Sequence, residues 1–169
     1  MKPSRFRVFA VAVMAPLIIA VPAVPAAPAA ASAPARSAGI TRSTHQYLVD
    51  SAPVDTASAA FQSTVLSWMG NPKVSGSEAG SAARPLISAL MAFQNRLEVQ
   101  TWPAGARDDV RALATAFIGL ISDLRALSHD DIADTSSWEG PLLRQDVSTT
   151  AATNKVRHDL GLPPLSVSL

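Results

Sequence analysis

Cysteine is absent from the 169 residues. That excludes disulfides, thiolate metal sites, a cysteine nucleophile and a lipid carried on cysteine, and it leaves packing to hold the fold together. Histidine is scarce as well: His45, His129 and His158 include no i, i+4 pair, and H-E-x-x-H is missing, so a helical zinc site has no basis. His129 with Asp130, Asp131 and Asp134 lacks the calcium-loop pattern and reads as a solvated acidic helix start. Aromatic residues make up only 5%, which weighs against a sheet-rich fold.

Charge is thin on both sides, with 14 basic and 13 acidic residues and a formal net of +1. A chain so close to neutral has no electrostatic footprint for nucleic acid. The usual catalytic patterns are missing too. Gly76-Ser77-Glu78-Ala79-Gly80 has the wrong spacing for G-x-S-x-G, and Ser148 and Lys155 stand too far apart for S-x-x-K. Asp108 and Asp109 are neighbours that point in different directions on a helix, which suits capping better than glycoside chemistry. No enzyme activity, cofactor or metal is expected.

What the chain does have is an apolar fraction of 48%, much of it alanine, enough for one core of small and aliphatic side chains. Alanine, leucine and arginine all favour helix, so the expected class is all-α.

Residues 1–31 read as a secretory signal peptide. Lys2, Arg5 and Arg7 form a positive start, an apolar run ends at Val21, and small-residue sites allow cleavage after Ala29 or Ala31. Pro16 breaks the run, which falls short of the roughly 20 apolar residues a membrane span needs. Phe6 separates the arginines, so the general secretory route is expected rather than the twin-arginine one. Cleavage takes away three of the 14 basic residues and none of the 13 acidic ones, turning +1 into −2. Residues 32–42, rich in alanine, proline and serine, read as a disordered spacer.

Four helices are expected across residues 43–164, with 165–169 as a flexible tail. In the first, about 43–69, Tyr47, Val54, Phe61 and Trp68 recur every seven residues, and Pro53 should break or kink it. Gly70-Asn71-Pro72 then stops it. The second starts at a Ser75–Glu78 capping box, is weakened by Gly80 and kinked by Pro85, and carries the seam Leu86, Leu90, Phe93 and Leu97 to about Gln100. The third, about 106–128, has the clearest seam: Val110, Leu113, Phe117, Leu120, Leu124 and Leu127. A short helical turn is expected over 128–134. The fourth, about 137–160, ends at Gly161-Leu162-Pro163-Pro164. Helices of similar length joined by short breaks predict an antiparallel up-and-down four-helix bundle.

The residues Tyr47-Leu48 with Pro53-Val54, Pro85-Leu86 with Ala89-Leu90, Trp102-Pro103, Asp109-Val110-Arg111-Ala112-Leu113, and the ending Asp159-Leu160-Gly161-Leu162-Pro163-Pro164 carry a resemblance. The chain resembles a family of exported helical proteins from high-GC Gram-positive bacteria, some of them lipoproteins. The resemblance implies an exported helical body and brings no catalytic residue. Without a cysteine to acylate, this chain departs from the lipoprotein members. Trp68-Met69-Gly70 also resembles the W-x-G turn of small exported helical-hairpin dimers, although a core tryptophan before a glycine cap explains the same three residues.

The fourth helix carries the candidate site. Between its inward Trp138, Leu142, Ala152, Val156 and Leu160 stand Gln145, Asp146 and Thr149. These three are the candidate ligand-binding residues, lining an internal groove, with Arg96 or Arg111 as a partner for Asp146. Rotation of Asp146 into solvent is the competing arrangement. The expected function is a secreted, non-enzymatic binding or interaction protein of the cell envelope or exterior, monomeric or homodimeric. Its partner is a protein or a small apolar ligand carried in the bundle interior, and membership of an envelope assembly is the third option.

Overall fold

In a computed structural model the chain is described over residues 34–68, 74–128 and 136–165, with side chains described for 41–68, 74–128 and 147–165. Four helices make up this body: α1 (Pro34–Trp68), α2 (Gly76–Val99), α3 (Arg107–Ala126) and α4 (Ser136–Asp159). No strand occurs among the described residues, in keeping with the all-α class that the composition predicts. α1 packs on α2, α2 on α3 and α3 on α4. No helix among the described residues is long and apolar enough to cross a membrane. The signal-peptide residues, the Gly70-Asn71-Pro72 stop, His129 with its neighbouring aspartates and the expected turn over 128–134 lie wholly or largely outside the described residues.

α1 begins at Pro34 instead of near Ser43, so most of the stretch read as a spacer belongs to the helix. Pro53 does not break it, and α2 likewise continues through Pro85. Each proline lacks the N–H that would bond the carbonyl four residues back, at Val49 and Ser81. Both prolines and both of those residues sit on exposed faces, where water can take the freed carbonyls.

The helix ends follow local chemistry. Ser75 Oγ accepts the Glu78 N–H at 3.2 Å, so the expected cap starts α2. Asp108 and Asp109 occupy the first turn of α3, which has no side-chain cap, and there they complement the helix dipole by about 0.3–1 kcal/mol each. α4 ends as its sequence predicts. Gly161 takes φ +69°, its N–H bonds the His158 carbonyl at 3.0 Å, and the Leu162 N–H bonds the Arg157 carbonyl at 2.7 Å. That pair of bonds is a Schellman cap, and Leu162 packs back against the core.

The heptad residues of α1, the seam of α2 and nearly all of the α3 seam are buried. One position differs: Leu120 is only half-buried, and Ile121 takes its place in the core. At 3.6 residues per turn, strict steps of three and four drift around the helix, so the contact shifts to the next residue.

Four aromatic side chains meet in the core. The Tyr47 ring meets Phe93 edge-on at 5.5 Å and Trp102 at 6.4 Å, while Phe93 lies 5.6 Å from Phe117. Trp102 stands in the connection between α2 and α3, and its indole N–H donates to the Leu97 carbonyl at 2.8 Å. Such pairs add about 0.5–1.5 kcal/mol each beyond their buried area.

Candidate functional site

α4 buries polar groups where a bundle helix ordinarily buries leucine. Thr149, Thr153 and Arg157 are 2%, 3% and 5% exposed and follow at intervals of four, one turn above the next. Thr149 Oγ1, Thr153 Oγ1 and Arg157 Nη2 are buried without a hydrogen-bond partner among the described residues. Unmade bonds of this kind cost about 1–3 kcal/mol each. The other end of the Arg157 guanidinium is held, because Nε donates to the Pro163 carbonyl at 2.7 Å.

Across from this stripe lies α1. Thr44 Oγ1 donates to the Leu160 carbonyl at 2.8 Å, tying the first third of α1 to the residue just past α4. Further along, Tyr47, Ser51 and Asp55 of α1 share a small cavity with Thr153, Arg157 and Leu165. Its volume is about 10 Å³, which is about the room a single water needs. Burial pushes the Asp55 carboxyl above its ordinary pKa, while the Arg157 charge pulls it back down. Burial likewise raises the Tyr47 phenol, with Arg157 opposing and Asp55 adding.

Of the three predicted site residues, Thr149 is on the buried face, and the side chains of Gln145 and Asp146 lie outside the described residues. The partner suggested for Asp146, Arg96 or Arg111, cannot be placed against it, since that side chain lies outside the described residues. Arg96 bonds Asp50, and Arg111 bonds Asp108 at 3.0 Å. Among the described side chains, the arginine on the polar face of α4 is Arg157, from the same helix. Thr153 and Arg157 were legible as the i+4 and i+8 continuation of Thr149.

A second polar cluster joins α1 to α2. The Asp50 side chain is 1% exposed and takes hydrogen bonds from Gln46 (3.0 Å), Gln100 (2.6 Å) and Arg96. Burial pushes its carboxyl up, but the three donors and the Arg96 charge outweigh that, leaving it below the ordinary carboxylate value. Asp50 sits three residues after Tyr47 on the heptad seam, and a carboxylate in that register was the signal.

The larger concavity is on the outside. A groove of about 410 Å³ runs between the end of α2 and the first half of α3. Leu97, Trp102, Val110, Ala114 and Ile118 form its apolar part, and Glu98, Gln100, Thr101, Arg107, Arg111 and Thr115 its polar part. Arg107 is fixed at one point, where its Nε donates to the Trp102 carbonyl at 3.1 Å. No set of three metal-ligating side chains occurs among the described residues.

No protein-family model, curated protein or solved structure matches the chain.

Proposed function

We propose that this chain is an exported, non-enzymatic binding protein of the cell envelope or exterior, and that its binding surface is the groove between α2 and α3. The observation that carries this reading is the contrast in volume, about 410 Å³ at the groove against about 10 Å³ in the cavity between α1 and α4. The groove falls within the range of about 300–1,000 Å³ that small-molecule sites occupy. Transport of an apolar ligand in the interior is less well supported, because that cavity has room for about one water and is lined by Asp55 and Arg157. An envelope assembly would use the same outer face.

In this reading the leader 1–31 is removed on the general secretory route, in line with the resemblance to exported helical proteins. The remaining body is an antiparallel up-and-down bundle, with α1 and α2 bent at Pro53 and Pro85. Three contacts support the alternation. Asp50, midway along α1, meets Arg96 and Gln100 at the end of α2. Gly80, early in α2, faces Ser128 just past α3. Thr44 meets Leu160 just past α4.

The test uses purified mature protein incubated with an envelope extract from its own host and read by native mass spectrometry. Adducts are expected on the unaltered protein and on Leu66→Trp, a change at an exposed α1 position. They should be lost from Thr115→Trp, which fills the groove from an exposed wall position. Adducts that survive Thr115→Trp would overturn the groove. Turnover on a hydrolase panel, abolished by one polar substitution, would overturn the non-enzymatic reading.

A further inference from the structure

Resting on the groove as the binding surface, we propose that its ligand is a small monocarboxylate with an apolar body. The carboxylate would be gripped by Arg107, and the body would lie along Trp102, Val110, Ala114 and Ile118. Arg107 spends its Nε on the Trp102 carbonyl, and that is its one hydrogen bond among the described residues. The bond aims the guanidinium without using its two terminal nitrogens. Those nitrogens form the fork that matches a carboxylate through two parallel bonds. A side chain already oriented also loses less entropy when the ligand arrives.

The charge balance selects the class. Arg107 and Arg111 face one acid in the groove, Glu98, and no ion pair joins Glu98 to either. Glu98 instead accepts from Gln94 at 3.1 Å. Arg111 is paired with Asp108, but both side chains are largely exposed, at 77% and 94%. That contact is worth little and can be exchanged for a ligand. With Asp108 on Arg111, Arg107 is the cation of the groove that has no acidic partner among the described residues, and one such charge fits a monoanion and disfavours a dianion beside Glu98. The apolar wall is half of the recognition: Trp102, Val110 and Ala114 are held firmly in the core, while Ile118 is 57% exposed and gains burial when an apolar body lies on it.

The test is an NMR titration of the isotope-labelled mature protein with octanoate and, separately, with octanol. Octanoate is expected to shift the amides of Gln100, Thr101, Val110 and Ala114 in a saturable way, with octanol at least tenfold weaker. Arg107→Met should reduce octanoate to the octanol level, and Arg107→Lys, which keeps the charge but not the fork, should lose most of the difference. Equal binding of octanol and octanoate in the groove would overturn the carboxylate assignment while leaving the groove in place as a binding surface. Octanoate shifts confined to Ser51, Thr153 and Arg157, or no shifts, would also overturn it. The groove itself is judged separately, by the loss of host adducts in Thr115→Trp.

Discussion

Asp50 and Arg96, 46 residues apart, form an ion pair of unequal burial: the carboxylate is 1% exposed and the guanidinium 55%. The buried partner depends on the exposed one. Removing Arg96 leaves a buried charge with two amide donors, whereas removing both charges leaves only a neutral polar group to satisfy.

Arg96→Met is therefore expected to destabilise the fold by about 2–3 kcal/mol, less than a fully buried pair because half of Arg96 is in water. Adding Asp50→Asn should recover part of that loss. Urea denaturation of the two single variants and the double variant measures the coupling, and additive losses would contradict it.

Asp50 and Asp55 should leave opposite marks on the pH dependence. Asp50 has a lowered pKa in the folded state, so its contribution is complete above the unfolded value of about 3.9 and disappears as pH falls through the folded one. Asp55 has a raised pKa, so its ionisation weighs against the fold at neutral pH. That penalty fades as pH falls from the folded value towards about 3.9. Asp55→Asn should melt higher than the unaltered protein at neutral pH, and the difference should close by about pH 4. A difference that stays constant with pH would count against this assignment.

Thr149 is 2% exposed with an unbonded hydroxyl, and valine has nearly its shape without the polar atom. Thr149→Val should raise stability by about 1 kcal/mol in chemical denaturation. A loss instead would mean that the hydroxyl has a partner.

A Cβ at Gly80 would come within 2.6 Å of Ser128 Cβ. Gly80→Ala should therefore destabilise by about 1–3 kcal/mol, although alanine favours helix by up to about 1 kcal/mol. Ser128→Gly in the same chain should restore much of the loss, because it removes the closest atom. Thermal melts of the single and double variants beside the unaltered protein test this, and a stabilising Gly80→Ala would refute it.

The helices were legible in the sequence because their signals are local. The Ser75 cap, the Gly161 ending and the seven-residue recurrence of Tyr47, Val54, Phe61 and Trp68 depend on near neighbours along the chain. Partners across helices were harder to see. Arg96 reaches Asp50 on another helix, and no spacing rule along one element reports that contact. Trp102 follows the expected end of the second helix and has no seam to mark it as core, yet it closes the aromatic cluster, because the connection it sits in folds back onto Tyr47. Pro53 predicts a break or a kink, and the helix runs on through it because an exposed carbonyl four residues earlier lets water substitute for the missing bond. The polar interruption of α4 was visible at Thr149, and its continuation to Thr153 and Arg157 followed from helical spacing alone. The groove was not visible at all, since it depends on how α2 and α3 are set side by side.

The most direct measurement is hydrogen exchange on the mature protein, with and without an envelope extract from its host. Added protection is expected at the end of α2 and the first half of α3, across Leu97–Ile118, with α1 and α4 unchanged. Protection gathered instead at Ser51, Thr149, Thr153 and Arg157 would contradict an outer binding surface and place the ligand between α1 and α4.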